Sequence, residues 1–491
     1  MTRRVKSSPL LHPGRNCWRV ERAERAALVV DAADYFHHVR KAMLQAKKQI
    51  LLIGWDFDTR IELDDADDEA PATLGSFISF LAKCRPDLCI YVLRWDLGAT
   101  KLLARGTTVF RLINWVRTKG ITFKLDAAHP TGASHHQKIV VIDDNLAFCG
   151  GIDMTATRWD TRAHRDDDEG RKRPTTGRRY GPWHDATMAV DGAAAKALGD
   201  LARERWARAG GKPIEPPTAE GDSWPPELEP QFQKVDVAVA RTRGEFKQFP
   251  EVREIEALYL DMIAAAKRYV YFENQYFASR VVAEAIGKRL KEKDGPEFVV
   301  VNPNKVEGFM EDEVMRPART KVTRTLQDLD RHDRFRIYTP VTEGGEDIYV
   351  HSKIGIVDDR MIRVGSANIN NRSMGLDSEC DLLIDADGNA GKGISPQIHA
   401  ILCDLLGEHL GKEASAIEAL LNDGGSLIAC VERMRGKGRT LRPLEMKELS
   451  ALEAEIAETE MLDPEKAGEY FDTAKKPGLL GRLKRLRHPF A

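Results

Sequence analysis

The chain has 491 residues, 42% of them hydrophobic and 31% charged, with a formal net charge of -2. That length exceeds what one ordinary hydrophobic core organises, so two domains are expected, and the composition is that of a soluble globular protein. The small net charge gives no whole-molecule field to select a partner, and no apolar run approaches the ~18 residues of a membrane-spanning helix.

The N-terminus starts basic but has no apolar run behind it, so it does not read as a secretory signal. The seven cysteines (17, 84, 89, 149, 380, 403, 430) are odd in number, and Cys84 and Cys89 lack a second Cys or His pair at zinc-site spacing. They read as free thiols in a reducing compartment, with no metal framework. Cytoplasmic or peripheral-membrane placement is expected, with export by a signal-independent route left open.

The first half then appears a second time. Residues 42–57 (AMLQAKKQILLIGWDF) and 262–277 (MIAAAKRYVYFENQYF) each carry a helical period, a basic pair and a β-rich run. Leu88–Asp96 answers Glu297–Asn304, and Thr122–Asp126 answers Arg334–Tyr338. Next come His136-Gln137-Lys138 with Asp143, and His351-Ser352-Lys353 with Asp358; a glycine follows each histidine by fourteen residues, at Gly150 and Gly365. Five elements in one order argue for duplication.

The polar stretch Thr161–Gly181 has no counterpart in the second half and is expected to be a surface loop, either solvated or a lid that contacts the substrate. Gly210–Phe232 holds six prolines, which suit an extended linker. The expected division is 1–212, a linker at 213–232, 233–435, and a charged helical extension at 436–491. Strands alternating with helices predict two duplicated α/β sandwich domains, each a mixed sheet flanked by helices, with one active site between them. In the tail, Leu479, Leu483 and Leu486 share a helical face among basic residues, which suits either an anionic membrane surface or a frayed tail.

If the run after His136 is a strand, His136 and Lys138 share a face and Asp143 falls on the other; His351, Lys353 and Asp358 repeat the parity. Lysine suits phosphate oxygens, and histidine can attack phosphorus or carry a proton near neutral pH. Two such pairs supply two cations, a nucleophile and an acid, so the pairs are expected to face each other, with the aspartates ordering turns. An acceptor is needed to orient each histidine: Asp185 follows His136 by 49 residues, and Glu379 follows His351 by 28, each opening an apolar run.

The pattern His-x-Lys-x4-Asp-x6-Gly-[Gly/Ser]-x-[Asn/Asp], running to Gly150-Gly151-Ile152-Asp153 and to Gly365-Ser366-Ala367-Asn368, resembles the phospholipase D superfamily. Gly54-Trp55-Asp56 and Glu273-Asn274-Gln275-Tyr276-Phe277 resemble its two-motif phospholipase branch. The resemblance covers roughly 40–190 and 255–385. It implies that His136 forms a phosphohistidine, that His351 protonates the leaving alcohol and then activates water or an acceptor alcohol, and that Lys138, Lys353 and Asn368 hold the phosphate. It places Gly151 and Ser366 beside the substrate, gives Asp185 and Glu379 the orienting task, counts Asp143 and Asp358 within the catalytic motif, and calls for no metal or cofactor. Asp153 departs from the pattern, since an acid there repels phosphate.

The leading expectation is hydrolysis of a glycerophospholipid to phosphatidic acid and a headgroup alcohol, with transfer to a second alcohol by the same intermediate. A cardiolipin synthase-like phosphatidyltransferase, a nuclease and an inactive membrane-binding scaffold are the alternatives. The expected partner is a phospholipid at a membrane surface; no nucleic acid is expected, because no basic stripe with stacking aromatics is present, and a monomer is expected. Trp55, Trp183 and Tyr276 are candidates either for contact with a choline-like cation or for core packing, and residues 302–314, after a strand end, for the rim of the site.

Overall fold

A computed structural model of the protein describes residues 9–64, 69–96, 115, 117–218, 221–305, 309–389, 393–446, 448–450, 453 and 463–466, without the side chains of 309–314. The basic tail lies outside them. The first half contains β1 (Arg19–Val30), α1 (Ala32–Gln45), β2 (Gln49–Gly54), α2 (Leu74–Cys84), β3 (Cys89–Trp95), β4 (Ile121–Asp126), β5 (Ile139–Ile142), β6 (Leu146–Gly150), β7 (Trp183–His184), β8 (Ala186–Asp191) and α3 (Gly192–Arg208). The second contains β9 (Phe232–Arg243), β10 (Val252–Arg253), α4 (Glu254–Ala265), β11 (Tyr269–Glu273), α5 (Arg280–Leu290), β12 (Glu297–Val301), α6 (Phe309–Leu329), β13 (Phe335–Val341), β14 (Tyr349–Val350), β15 (Ile354–Val357), β16 (Met361–Gly365), α7 (Asn371–Gly375), β17 (Glu379–Asp385), α8 (Ile394–Leu410), α9 (Ala414–Gly424), α10 (Leu427–Met434) and β18 (Thr440–Pro443).

The apolar runs ILLIG and YVYF become β2 and β11, buried along their length, as strands covered on both faces must be. In each half β2 or β11 runs parallel to the next two strands and antiparallel to β5 or β15. Each half is therefore a mixed sheet flanked by helices, as the repeat predicts. The two sheets are also joined. β1 pairs antiparallel with β9 from Arg19↔Val239 to Ala26↔Phe232, so one sheet runs β18-β13-β12-β11-β15-β16-β17-β9-β1-β8-β6-β5-β2-β3-β4. Reading outward from that junction, β1, β8, β6, β5, β2, β3, β4 match β9, β17, β16, β15, β11, β12, β13 in order, so a pseudo-two-fold passes through it.

One apolar core runs unbroken across both halves on the face covered by α3 and α8–α10; separate cores lie under α1 and α2 and under α4 and α5. Gly150 and Gly365 mark close strand approach, since a Cβ at either would strike β8 or β17. The proline-rich segment is tied down more firmly than a linker. Trp224 and Leu228 are buried in the first half's core, and the Arg25 guanidinium lies 4.9 Å over the Trp224 ring. The expected boundary at 435 also shifts, because β18 completes the second half's sheet beside β13.

Candidate functional site

The motif residues stand where β5 and β15 begin. His136 and His351 precede their strands, and Lys138 and Lys353 fold back to donate from Nζ to the carbonyl oxygens of His136 (3.0 Å) and His351. The middle residues turn away: Gln137 donates to the Glu379 carbonyl at 3.1 Å, and Ser352 Oγ donates to the Glu273 carboxylate at 2.6 Å. This is the shared face expected for His and Lys.

Each histidine meets a buried carboxylate at Nδ1, but from the opposite half to the one its position in the chain suggests. His136 Nδ1 lies 3.0 Å from both oxygens of Glu379, and His351 Nδ1 lies 2.6 Å from Asp185. The exchange follows from the strand junctions. The backbone before His136 pairs with Ser378, His136 N–H donating to its carbonyl at 2.9 Å, while β14 pairs with β7 and His351 N–H donates to the His184 carbonyl at 2.7 Å. Each motif is thereby laid beside the other half's acidic segment. A carboxylate at Nδ1 fixes the proton there and leaves Nε2 to face substrate.

Burial, reinforced by Lys138 and Lys353, holds the His136 imidazole well below its usual range, and burial with Lys353, Arg158 and Lys138 does the same at His351. Each histidine thus feels both lysines, which puts the two pairs in one electrostatic unit. Burial raises the Glu379 carboxyl, opposed by the hydroxyls of Ser366 and Ser373 and by Lys138, and brings Lys353 down to about 7. Asp185 is likewise raised by burial.

Four positions take different tasks from those the motif suggests. Asp143 and Asp358 lie away from the histidines: Asp143 accepts the backbone N–H groups of Lys47, Lys48 and Gln49 at 2.6–2.8 Å, and Asp358 those of Lys267, Arg268 and Tyr269 at 2.6–2.9 Å. They anchor the entries to β2 and β11 from turns in which the two aspartates take a left-handed φ of 51° and 55°. Ser366 sits under Glu379, donating to its carboxylate at 2.5 Å, with Ser373 donating at 2.7 Å. Gly151 is a point of close approach, where a Cβ would strike the Asp185 carboxylate. Asn368 is buried; the part of its amide able to meet a phosphate oxygen is the donating NH2 group.

Asp153 shows why an acid is tolerated: its carboxylate lies 3.1 Å from Lys138 Nζ and accepts the Trp55 N–H at 3.0 Å. That ion pair was not legible from the motif, and neither was Arg158, whose guanidinium lies 4.1 Å over the Trp183 ring. Trp183 stacks on Tyr349 at 4.4 Å and lies 5.2 Å from the His351 ring. These rings wall a cavity of about 310 Å³ beside His351, completed by Arg173, Tyr180, Asn304 and Lys305. The 161–181 stretch is the largely exposed surface loop expected, but it also lines this cavity through Arg173, Tyr180 and Gly181 and sends His164 and Arg171 into the interior. Residues 303–305 form part of the rim. Trp55 stacks on Trp95 (5.7 Å).

Replacing Asp143 with alanine removes three charge-assisted hydrogen bonds without touching the site. We expect a stability loss of about 2–4 kcal/mol in denaturant unfolding, with the folded fraction keeping its turnover. Lost turnover at unchanged stability would place Asp143 in the chemistry.

A duplicated mixed α/β sheet presenting two His/Lys pairs and two orienting carboxylates at one junction defines the class. Residues 42–220 match the family profile described as phospholipase D, and 259–396 the one described as cardiolipin synthase, PLD-like domain. The chain belongs to the phospholipase D superfamily. It is similar to phospholipase D A of Dictyostelium discoideum, 25% identical over 71% of this chain and 32% of the relative, and to phospholipase D alpha 4 of Arabidopsis thaliana, 22% identical over 84% and 68%. The chain thus spans about a third of the first relative's length. The phosphatidylserine synthase of Haemophilus influenzae Rd KW20 shares the fold, with a TM-score of 0.54 and 13% identity over 85% of this chain and 96% of that one. Among the described residues, no helix is long and apolar enough to cross a membrane.

Proposed function

We propose that the chain is a phospholipase D-type phosphodiesterase that hydrolyses a glycerophospholipid to phosphatidic acid and a free headgroup alcohol. The observation that carries this reading is the pair of crossed dyads, His136–Glu379 and His351–Asp185, set among Lys138 and Lys353. His136 Nε2 attacks phosphorus and the bond to the headgroup oxygen breaks, His351 giving that oxygen a proton. His351 then takes a proton from water, whose oxygen attacks phosphorus as the P–N bond breaks. The order of roles follows the family resemblance and accords with His136 being the more open side chain, 16% exposed against 6%. Burial is the main cause that keeps His351 neutral, with Lys353, Arg158 and Lys138 adding to it; an entering phosphodiester anion offsets the cationic part and so favours the proton on His351. Lys138, Lys353 and Asn368 hold the phosphate oxygens.

Incubation with headgroup-labelled phosphatidylcholine, with and without ethanol, tests the reading. Choline release, with phosphatidylethanol formed when ethanol is present, is expected. Products only with a second alcohol would favour a phosphatidyltransferase; no turnover of any phosphodiester across a headgroup panel would contradict the proposal.

The charge on Lys353 gives a pH signature. Its proton is held below about 7 in the substrate-free protein and lost above it, so kcat/KM is expected to fall as pH rises through neutrality. Lys353→Arg keeps its charge and should flatten that limb at a lower rate. A limb unchanged in the arginine variant would assign it to another group.

A further inference from the structure

Behind the dyads lies a second cluster that the reaction does not use. Asp31 enters from the β1–α1 turn, His164 from the polar insert, His184 from β7 and Glu408 from α8, all buried. Each histidine has one ring nitrogen engaged by a carboxylate outside this group: His164 Nδ1 with Asp160 at 2.9 Å, and His184 Nε2 with Glu273 at 2.7 Å. Their other nitrogens converge. His164 Nε2 lies 3.1 Å from Glu408 Oε1 and 3.4 Å from Asp31 Oδ2, and His184 Nδ1 lies 2.9 Å from Glu408 Oε1 and 3.4 Å from Asp31 Oδ1.

We propose that His164 Nε2, His184 Nδ1, Asp31 and Glu408 form a structural site for one divalent transition metal ion, with zinc the best match. Ligands at zinc bond lengths on a tetrahedron stand about 3.3 Å apart, and the four separations above already cluster there. The outer carboxylates Asp160 and Glu273 are the partners that metal-bound histidines use to fix their tautomer. Two atoms of the group, His184 Nδ1 and Asp31 Oδ2, are buried without a hydrogen-bond partner. The guanidiniums of Arg162 and Arg171 pair with Glu408 and Asp160, while Asp31 and Glu273 take their ion pairs from imidazoles, so a bound ion would take the place of the protons that His164 and His184 share with Asp31 and Glu408. Two imidazoles with two carboxylates suit zinc ahead of calcium or magnesium.

The position gives the ion a task. Asp31 Oδ1 accepts the Asp185 N–H at 3.0 Å, and Glu273 accepts from Ser352 of the second motif. An ion here would pin the insert, α8 and the backbone of Asp185 together, making its occupants positioning residues behind the His351 dyad. The site stands whether or not the proposed reaction is correct.

The test is direct titration of the full chain, stripped with a chelator, with Zn2+ against a chromophoric competitor, alongside the melting temperature. One tightly bound Zn2+ per chain and a melting temperature raised by several degrees, reversed by chelator, are expected. His164→Ala and Glu408→Gln should each weaken binding by at least about tenfold, while removal of the exposed Cys84 and Cys89 thiols should leave it unchanged. If the variants fail to fold, X-ray absorption of the zinc-loaded wild type decides: nitrogen and oxygen ligation with imidazole scattering supports the site, and sulfur or six-oxygen ligation overturns it. A wild type that binds no zinc, or binding that follows the two thiols, also overturns it.

Discussion

His136→Ala and His351→Ala are each expected to lower turnover by about 10⁴-fold or more, and the double variant to be no worse than the poorer single one. The reason is geometric. Neither half owns a complete site: each histidine takes its orienting carboxylate from the other half, and each imidazole lies in the field of both lysines. Removing one histidine therefore removes either the nucleophile or the proton carrier from the one reaction, instead of one of two parallel reactions. Melting temperature serves as the control, because both side chains lie at the site and outside the apolar cores. A variant retaining half of the wild-type rate would contradict a shared site.

Glu379→Gln and Asp185→Asn are expected to cost about 10²–10⁴-fold each, at different steps. In Glu379→Gln the amide would keep one serine as a donor to its oxygen, since Ser366 and Ser373 bond different carboxylate oxygens, but the side chain would no longer hold a proton on His136 Nδ1, so Nε2 is not kept free for attack. Asp185→Asn would do the same to His351. With an aryl phosphodiester, whose leaving group needs no proton, Glu379→Gln should slow the first release of aryl alcohol, and Asp185→Asn the steady state that follows. The reverse assignment would mean that each carboxylate serves the histidine of its own half.

That pairing is the part of the site the sequence did not disclose. The two motifs, the strands around them and the carboxylates themselves are legible because each is a local pattern written twice. Strand parity also separates Asp143 and Asp358 from the chemistry, although their real partners, three successive backbone N–H groups of a neighbouring strand, are not local. The crossing is set by the β1–β9 junction and by β7 lying beside β14, long-range pairings that carry no spacing signal. The same holds for Lys138 with Asp153, and for the Asp31, His164, His184 and Glu408 group, drawn from four distant segments. The insert at 161–181 reads as solvated because its composition is polar, and most of it is exposed; its two buried residues, His164 and Arg171, are satisfied by α8 and by Asp160, which composition cannot show.

The most direct test of one shared site is the burst of nitrophenolate from a p-nitrophenyl phosphodiester, counted per chain. His351→Ala should release one nitrophenolate per chain and then stall, because His136 still attacks but water is no longer activated; His136→Ala should show no burst. A burst of two per chain, or a burst in His136→Ala with none in His351→Ala, would contradict the account.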